Sequence, residues 1–219
     1  ARGEFARAES SARAALARAP LSEDARVALA RAVLEQNRLD EAEKEFRAAL
    51  DSPLPSPTTL AWGNIGLGEI ALRRNRAGEA AKRFDEAVRA DAEYASTVAA
   101  RAGRIKAETA AGAVPIDEQI KGAVAQLDAA IRTGRKAEID AAIVPGELSA
   151  FSRGLIGTQP EVWQTRVLRT QTFGPNLAEV DVSLTTRALG RDASGTGVFV
   201  FARTPAGWKL LDRRFFELQ

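Results

Sequence analysis

Apolar positions recur at helical spacing through the first half of the chain, and the period falls to two in its last third. The helical half repeats itself. Gly3-Glu4-Phe5-Ala6-Arg7-Ala8, Asn37-Arg38-Leu39-Asp40-Glu41-Ala42 and Asn75-Arg76-Ala77-Gly78-Glu79-Ala80 align. Each opens on Gly or Asn, residues that tolerate left-handed backbone at a turn between helices. Phe46 and Phe84 follow four residues after Ala42 and Ala80, and Ala15, Ala49 and Ala87 stand seven residues after the three alanines. The spacing is 34 residues from Ala8 to Ala42 and 38 from Ala42 to Ala80, and a loop with Pro53, Pro55 and Pro57 holds the extra four. Small residues at fixed places let paired helices approach closely.

Start and stop signals agree with that pattern. Ser22 before Glu23 and Asp24 is an N-cap with acidic first-turn residues. Ser56-Pro57 is a second start, with proline at the first helical position. One further helix is predicted over 95–110, with Gly103 in a small-residue slot and Gly112 and Pro115 as stops. The chain opens at the turn of a repeat, which predicts an uncovered apolar face around Phe5, Ala8, Ala12 and Ala15 and further repeats upstream in a parent protein.

After Asp117 the pattern changes. Ile120, Val124, Leu127 and Ile131 share a helix face, capped by Asp117 and stopped by Gly134. A second helix carries Ile139 and Ile143 and ends by Pro145, and a third spans 148–155. Ala178, Val180, Val182 and Leu184 then alternate with Glu179, Asp181, Ser183 and Thr185, a half-buried strand. Strands are predicted at 162–173, 198–203 and 208–218, with turns at 174–176, 190–197 and 204–207, giving an antiparallel meander with helices on one face.

Composition narrows the chemistry. Hydrophobic residues make up 45% and charged ones 27%, with a net charge of +2. The charges are evenly spread: 18 basic and 17 acidic residues lie before Val114, leaving 13 and 12 after it. No basic stripe for nucleic acid emerges. No apolar run approaches the roughly 20 residues that span a bilayer. The chain has neither Cys nor His. That excludes a Cys/His zinc site, a thiol nucleophile and a Ser-His-Asp triad, and no cofactor or metal site is expected. It also leaves the compartment unmarked by disulfides.

The first-half pattern resembles the tetratricopeptide repeat. Leu29-Ala30 and Leu67-Gly68 match that family's first-helix pair, Ala42…Phe46 and Ala80…Phe84 its second-helix pair, and Pro20 its terminating proline. The resemblance implies helical hairpins over residues 1–113 whose first helices line a groove for a protein or peptide partner. At the places where a subset of the family clamps a C-terminal carboxylate, this chain has Val27, Arg31, Ile65 and Gly66, so that clamp is absent. The groove candidates are Val27, Arg31, Leu34, Trp62, Ile65 and Glu69. Trp62 and Leu34 are also ordinary packing positions.

Residues 114–219, with the helix running to Gly134 and the closing Gly207-Trp208-Lys209-Leu210-Leu211, resemble the nuclear transport factor two-like superfamily, which includes SnoaL-like cyclases and ketosteroid isomerases. The fold class expected is therefore α followed by α+β, a helical solenoid and then a cone with a curved antiparallel sheet. The resemblance implies a cavity open to a small apolar ligand and pairing of two copies through the outer sheet face. At a strand period of two, Trp208, Leu210, Asp212, Arg214 and Phe216 share one face; Trp208, Asp212, Arg214 and Phe216 are the pocket candidates, with Asp212 paired to Arg214 or a neighbouring Arg. An adjacent Arg favours the ionised carboxylate and opposes its use as a base. Strand 198–203 is apolar on both faces, so its outer face should be covered by the repeats or by a second copy. The leading expectation is a non-enzymatic interaction module. An isomerase or cyclase is the alternative, as is the accessory region of a larger enzyme or signalling protein.

Overall fold

Two serines begin helices by the same device. Ser22 Oγ accepts the Ala25 N–H at 3.2 Å and Ser56 Oγ accepts the Thr59 N–H at 3.1 Å, each satisfying an orphan first-turn donor. The computed structural model describes residues 2–90 and 92–216. These divide into two units, Ala1–Val114 and Pro115–Gln219.

The first unit contains six described helices: α1 (Arg2–Arg18), α2 (Glu23–Glu35), α3 (Leu39–Leu50), α4 (Pro57–Arg73), α5 (Ala77–Ala90) and α6 (Tyr94–Ala110). Each packs on its sequence neighbour, and α2 meets α4 and α4 meets α6, so α2, α4 and α6 form one layer. The turns repeat down to their hydrogen bonds. Asn37 and Asn75 have φ of 61° and 60°, and Gly112 has 68°. Across them Arg38 N–H reaches Val33 O, Arg76 N–H reaches Ala71 O and Ala113 N–H reaches Glu108 O. All three are the left-handed helix ending in which the third residue past the helix bonds back five residues.

Inside the stack the alternation of small and large residues makes the fit. Ala42, Phe46 and Ala80 are fully buried, and Phe84 nearly so. Burying each ring contributes about 1.5–3 kcal/mol. A Cβ placed on Gly68 would stand 2.9 Å from the Phe84 ring. On α1 the expected uncovered face is present in part: Ala8 and Ala15 are exposed and Phe5 is half-buried, whereas Ala12 is buried. α1 packs chiefly against α2, and its polar side reaches Arg38 and Glu41 through Glu9 and Arg13.

In the second unit, α7 (Glu118–Thr133), α8 (Lys136–Ala141) and α9 (Ser149–Thr158) precede β1 (Val162–Phe173), β2 (Leu177–Ala188), β3 (Arg191–Thr204) and β4 (Gly207–Phe216). Asp117 caps α7 through two N–H bonds, and Gly134 ends it at φ 65°. The strands form an antiparallel meander in the order β1-β2-β3-β4. Ile120, Leu127, Ile131, Val180, Phe199 and Leu210 belong to the core between helices and sheet.

Two expectations change. Residues 191–197 belong to β3 and not to a turn, because Leu189 and Gly190 alone reverse the chain at φ 53° and 70°. Consecutive positive φ values suit a two-residue hairpin, so the ladder runs on to Ala188 and Arg191. Ile143 lies beyond α8 and bridges Leu210, with Val144 N–H donating to Leu210 O and Leu210 N–H to Ala142 O. The expected strand end at Leu218 lies outside the described residues. No helix among those residues is long and apolar enough to cross a membrane.

Candidate functional site

The layer of α2, α4 and α6 presents one groove with two cavities. The smaller, about 200 Å³, is lined by residues that include Val27, Ala28, Arg31, Thr58 and Trp62. The Arg31 guanidinium lies 4.1 Å from the Trp62 ring centroid, the geometry of a cation over an aromatic face. Trp62 Nε1 donates to Glu93 Oε1 at 2.7 Å, tying α4 to the start of α6. The cavity is thus an apolar floor with a cation held over its indole wall.

The larger cavity, about 430 Å³, is lined by Glu35, Glu69, Leu72, Arg73, Phe84 and a run of small residues on α6, with Lys106 beside them. Arg73 is already engaged: it donates to Leu34 O at 2.7 Å and stands 3.6 Å from Glu35. Glu69 is half-buried, and burial pushes its carboxyl above the usual range, while Arg73 and, more weakly, Arg31 and Lys106 pull the other way. Among the described residues it accepts no hydrogen bond and makes no ion pair. An unpartnered carboxylate taken partly out of water is destabilising unless something supplies a donor.

Of the groove residues expected from sequence, Val27, Arg31, Trp62 and Glu69 reach these cavities. Leu34 and Ile65 do not: at 2% and 3% exposure they belong to the packed interior between the helices. Both sit on the buried flank of their helices, since an apolar stripe wider than the groove must also cover the second helix of each hairpin. Sequence reading missed the α6 contribution of Ala99, Ala102, Gly103 and Lys106. The signal was the Gly112 turn, which repeats the Asn37 and Asn75 turns and marks α6 as another first helix.

In the second unit the expected pocket face does not exist as one face. Asp212 opposes Val200 but Leu210 opposes Phe201, so Leu211 is an extra residue in β4. A bulge inserts one residue and inverts the alternation beyond it. Trp208 and Leu210 therefore pack toward the helices, while Asp212, Arg214 and Phe216 share the opposite face with Val198 and Val200. Asp212 is exposed, and its Oδ1 accepts the Arg213 backbone N–H at 2.7 Å instead of pairing with Arg214. Phe216 is only 2% exposed. Val198 on that outer face is buried and Val200 half-buried. Asp181 is buried there too, opposite Arg169 in the ladder.

The bulge brings in Arg213, which no sequence pattern singled out. Its guanidinium lies 4.7 Å from the Phe151 ring and 5.9 Å from that of Phe215, and its Nε is buried with no hydrogen-bond partner. Phe151, Trp163, Phe199 and Phe215 form a connected aromatic cluster at 5.8–6.4 Å. Beside it Asp128 accepts from Trp163 Nε1 at 3.1 Å, Thr165 Oγ1 at 2.7 Å and Thr165 N–H at 2.8 Å. Burial raises its pKa, and those three bonds oppose the rise. Through these bonds Asp128 pins α7 to β1. A cavity of about 370 Å³ near α8 and α9 is lined by Lys136, Asp140, Ser152 and Arg153 among others. The Asp140 carboxyl is held low by Lys136 and then by Ser152.

A tetratricopeptide repeat family model matches residues 1–55. Neither a curated protein nor a solved structure matches the chain. Repeats of this kind generally mediate protein–protein interaction. The match covers α1 to α3, and the recurring turns carry the same helical pattern through α6.

Proposed function

We propose that the chain is a non-catalytic interaction module whose α2, α4 and α6 layer holds a segment of another polypeptide. The observation that supports this most directly is the groove itself. One helix layer carries an apolar cavity under Arg31 and Trp62 and a second cavity around an unpartnered Glu69. A side-chain anchor beside a charged one is the arrangement by which a groove selects a peptide.

The second unit fits a cone of the nuclear transport factor two-like kind that docks or takes a small apolar ligand. A four-stranded meander with three helices packed into one core supports that reading. The rival reading of an isomerase needs a poised acid. Asp212, exposed and bound to the adjacent amide, is poorly placed for that role.

The test is the full chain against an immobilised random-peptide library. Ala28 and Ala102 are exposed and line the two cavities. Ala28→Trp and Ala102→Trp should therefore fill them without disturbing the fold. Peptides that bind the parent and lose both affinity and competition in these variants support the groove. Binding indifferent to both, or no binding peptide at all, overturns it.

A further inference from the structure

Two features of the groove stand in a fixed relation because one helix carries both. Trp62 walls the smaller cavity and Glu69 the larger, seven residues apart on α4. At 1.5 Å per residue that separation is about 10.5 Å along the helix. The smaller cavity, about 200 Å³ and mostly apolar in its walls, has room for one aliphatic side chain. The larger offers Leu72, Phe84, Ala99 and Ala102 as a floor for a methylene stem, with a carboxylate beside it.

The charges in the groove are not equally available. Glu35 stands 3.6 Å from Arg73, whose other nitrogen is bonded to Leu34 O. Glu69 has no such partner among the described residues. Arg31 makes its contact with the Trp62 face, and Lys106 is exposed at the rim. Among the described residues the larger cavity therefore presents Glu69 as its unpaired acceptor, half-buried, whereas the exposed Asp24 borders the smaller cavity, and cationic donors stand at the edges.

We propose that the occupant is an extended peptide segment carrying an aliphatic residue for the Trp62 cavity and, three positions away, a lysine or arginine whose cation pairs with Glu69. The proposal rests on the groove reading above and deepens it. A polyproline-II segment returns to the same side every third residue with a rise of about 3.1 Å per residue, placing positions i and i+3 about 9.3 Å apart on one face. That matches the Trp62–Glu69 spacing within the reach of a lysine stem. An extended backbone also leaves its carbonyls unpaired, and Arg31 and Lys106 are donors placed to meet them. A helical ligand could span the same distance with residues seven apart, but its internal carbonyls are already bonded and offer those cations nothing. Glu69 gains the donor it lacks, and a charge-assisted bond in a half-buried site is stronger than one in open water.

The experiment uses the full chain and fluorescent peptides in an anisotropy titration. One pair carries Leu and Lys three positions apart, in both chain directions, in a Pro/Ala background that favours the extended form. Matched peptides replace Lys by norleucine or Glu, and a helix-forming peptide places Leu and Lys seven apart. The Lys peptide, in at least one direction, should bind about tenfold or more tighter than its norleucine twin. Glu69→Gln, which keeps shape and removes charge, should bring the two to equal affinity, with a melting transition at or above the parent's showing that the fold is intact. Equal binding of Lys and norleucine peptides by the parent overturns the proposal. So does a preference that survives Glu69→Gln, or tighter binding of the seven-spaced helical peptide. Library peptides that bind in the groove without a basic residue overturn the Glu69 pairing and leave the groove reading standing. A library with no binders removes both.

Discussion

The ring of Phe46 occupies the space where a side chain on Gly66 would begin: a Cβ there would lie 2.1 Å from the ring Cζ. The same relation recurs one repeat later, where a Cβ on Gly103 would come within 2.2 Å of Phe84. Each phenylalanine comes from the second helix of one hairpin and each glycine from the first helix of the next. This is how successive hairpins lock. Gly66→Ala or Gly103→Ala should lower stability by about 3 kcal/mol, the upper end of ordinary overpacking, because a buried ring cannot move aside. Gly78→Ala, with nothing within 4 Å of the added carbon, should be neutral or stabilise by up to about 1 kcal/mol. Thermal melts of the three variants check this, and equal losses would mean the ring contacts are not what sets the hairpin spacing.

Two groove-unit carboxylates should respond to pH with opposite sign. Glu9 accepts from Gln36, Arg13 and Arg38, which hold its pKa down to about 2 from an ordinary 4.5. A depressed carboxyl stabilises above its unfolded pKa, and that contribution fades as pH falls from about 4.5 toward 2. Glu69 is raised by burial, so its contribution is present below 4.5 and lost as pH climbs through the folded value. Glu9→Gln should thus destabilise at pH 7 and converge on the parent in acid. Glu69→Gln should be neutral or stabilising at pH 7 and lose that advantage in acid. Urea midpoints across pH 2–7 read both slopes. As a surface network, the Glu9 effect should also shrink in high salt.

Asp128 joins α7 to β1 by accepting three donors from Trp163 and Thr165. Asp128→Ala would strand a buried indole N–H and a hydroxyl, at a cost of about 2–4 kcal/mol. The expected readout is a lower denaturation midpoint with a changed tryptophan emission envelope. A midpoint within experimental error of the parent would show that water replaces the carboxylate without loss.

Asp212→Asn should leave stability within about 0.5 kcal/mol of the parent, as expected for an exposed side chain away from buried pairs. Under the interaction-module reading it should leave no turnover to lose, which a screen of ketosteroid-like and polyketide-like substrates examines. Turnover in the parent that disappears in Asp212→Asn would restore the enzyme reading.

Much of this molecule could be read along the chain because the relevant physics is short-ranged. Caps at Ser22, Ser56 and Asp117, left-handed turns at Asn37, Asn75 and Gly112, and the Ala42–Phe46 and Ala80–Phe84 pairs each involve residues a few positions apart. Periods of 3.6 and 2 report which face of an element is apolar. Arg31, Trp62 and Glu69 follow as groove candidates from the resemblance to the repeat family, and the structure places them at the two cavities.

Other features depended on packing that no local period carries. The extra residue at Leu211 arises from pairing with β3, and it moved Asp212 and Arg214 to the face opposite Leu210 and set Arg213 against Phe151 and Phe215. A single inserted position reverses every later side chain in a strand, so a period-two reading is right only up to the first bulge. Leu34 and Ile65 look like their groove neighbours in sequence, and only the placement of each hairpin's second helix decides that they are covered. Helix and turn identity followed from contacts within a few residues, whereas face, burial and availability followed from partners on other helices and strands, and those the tertiary structure alone supplied.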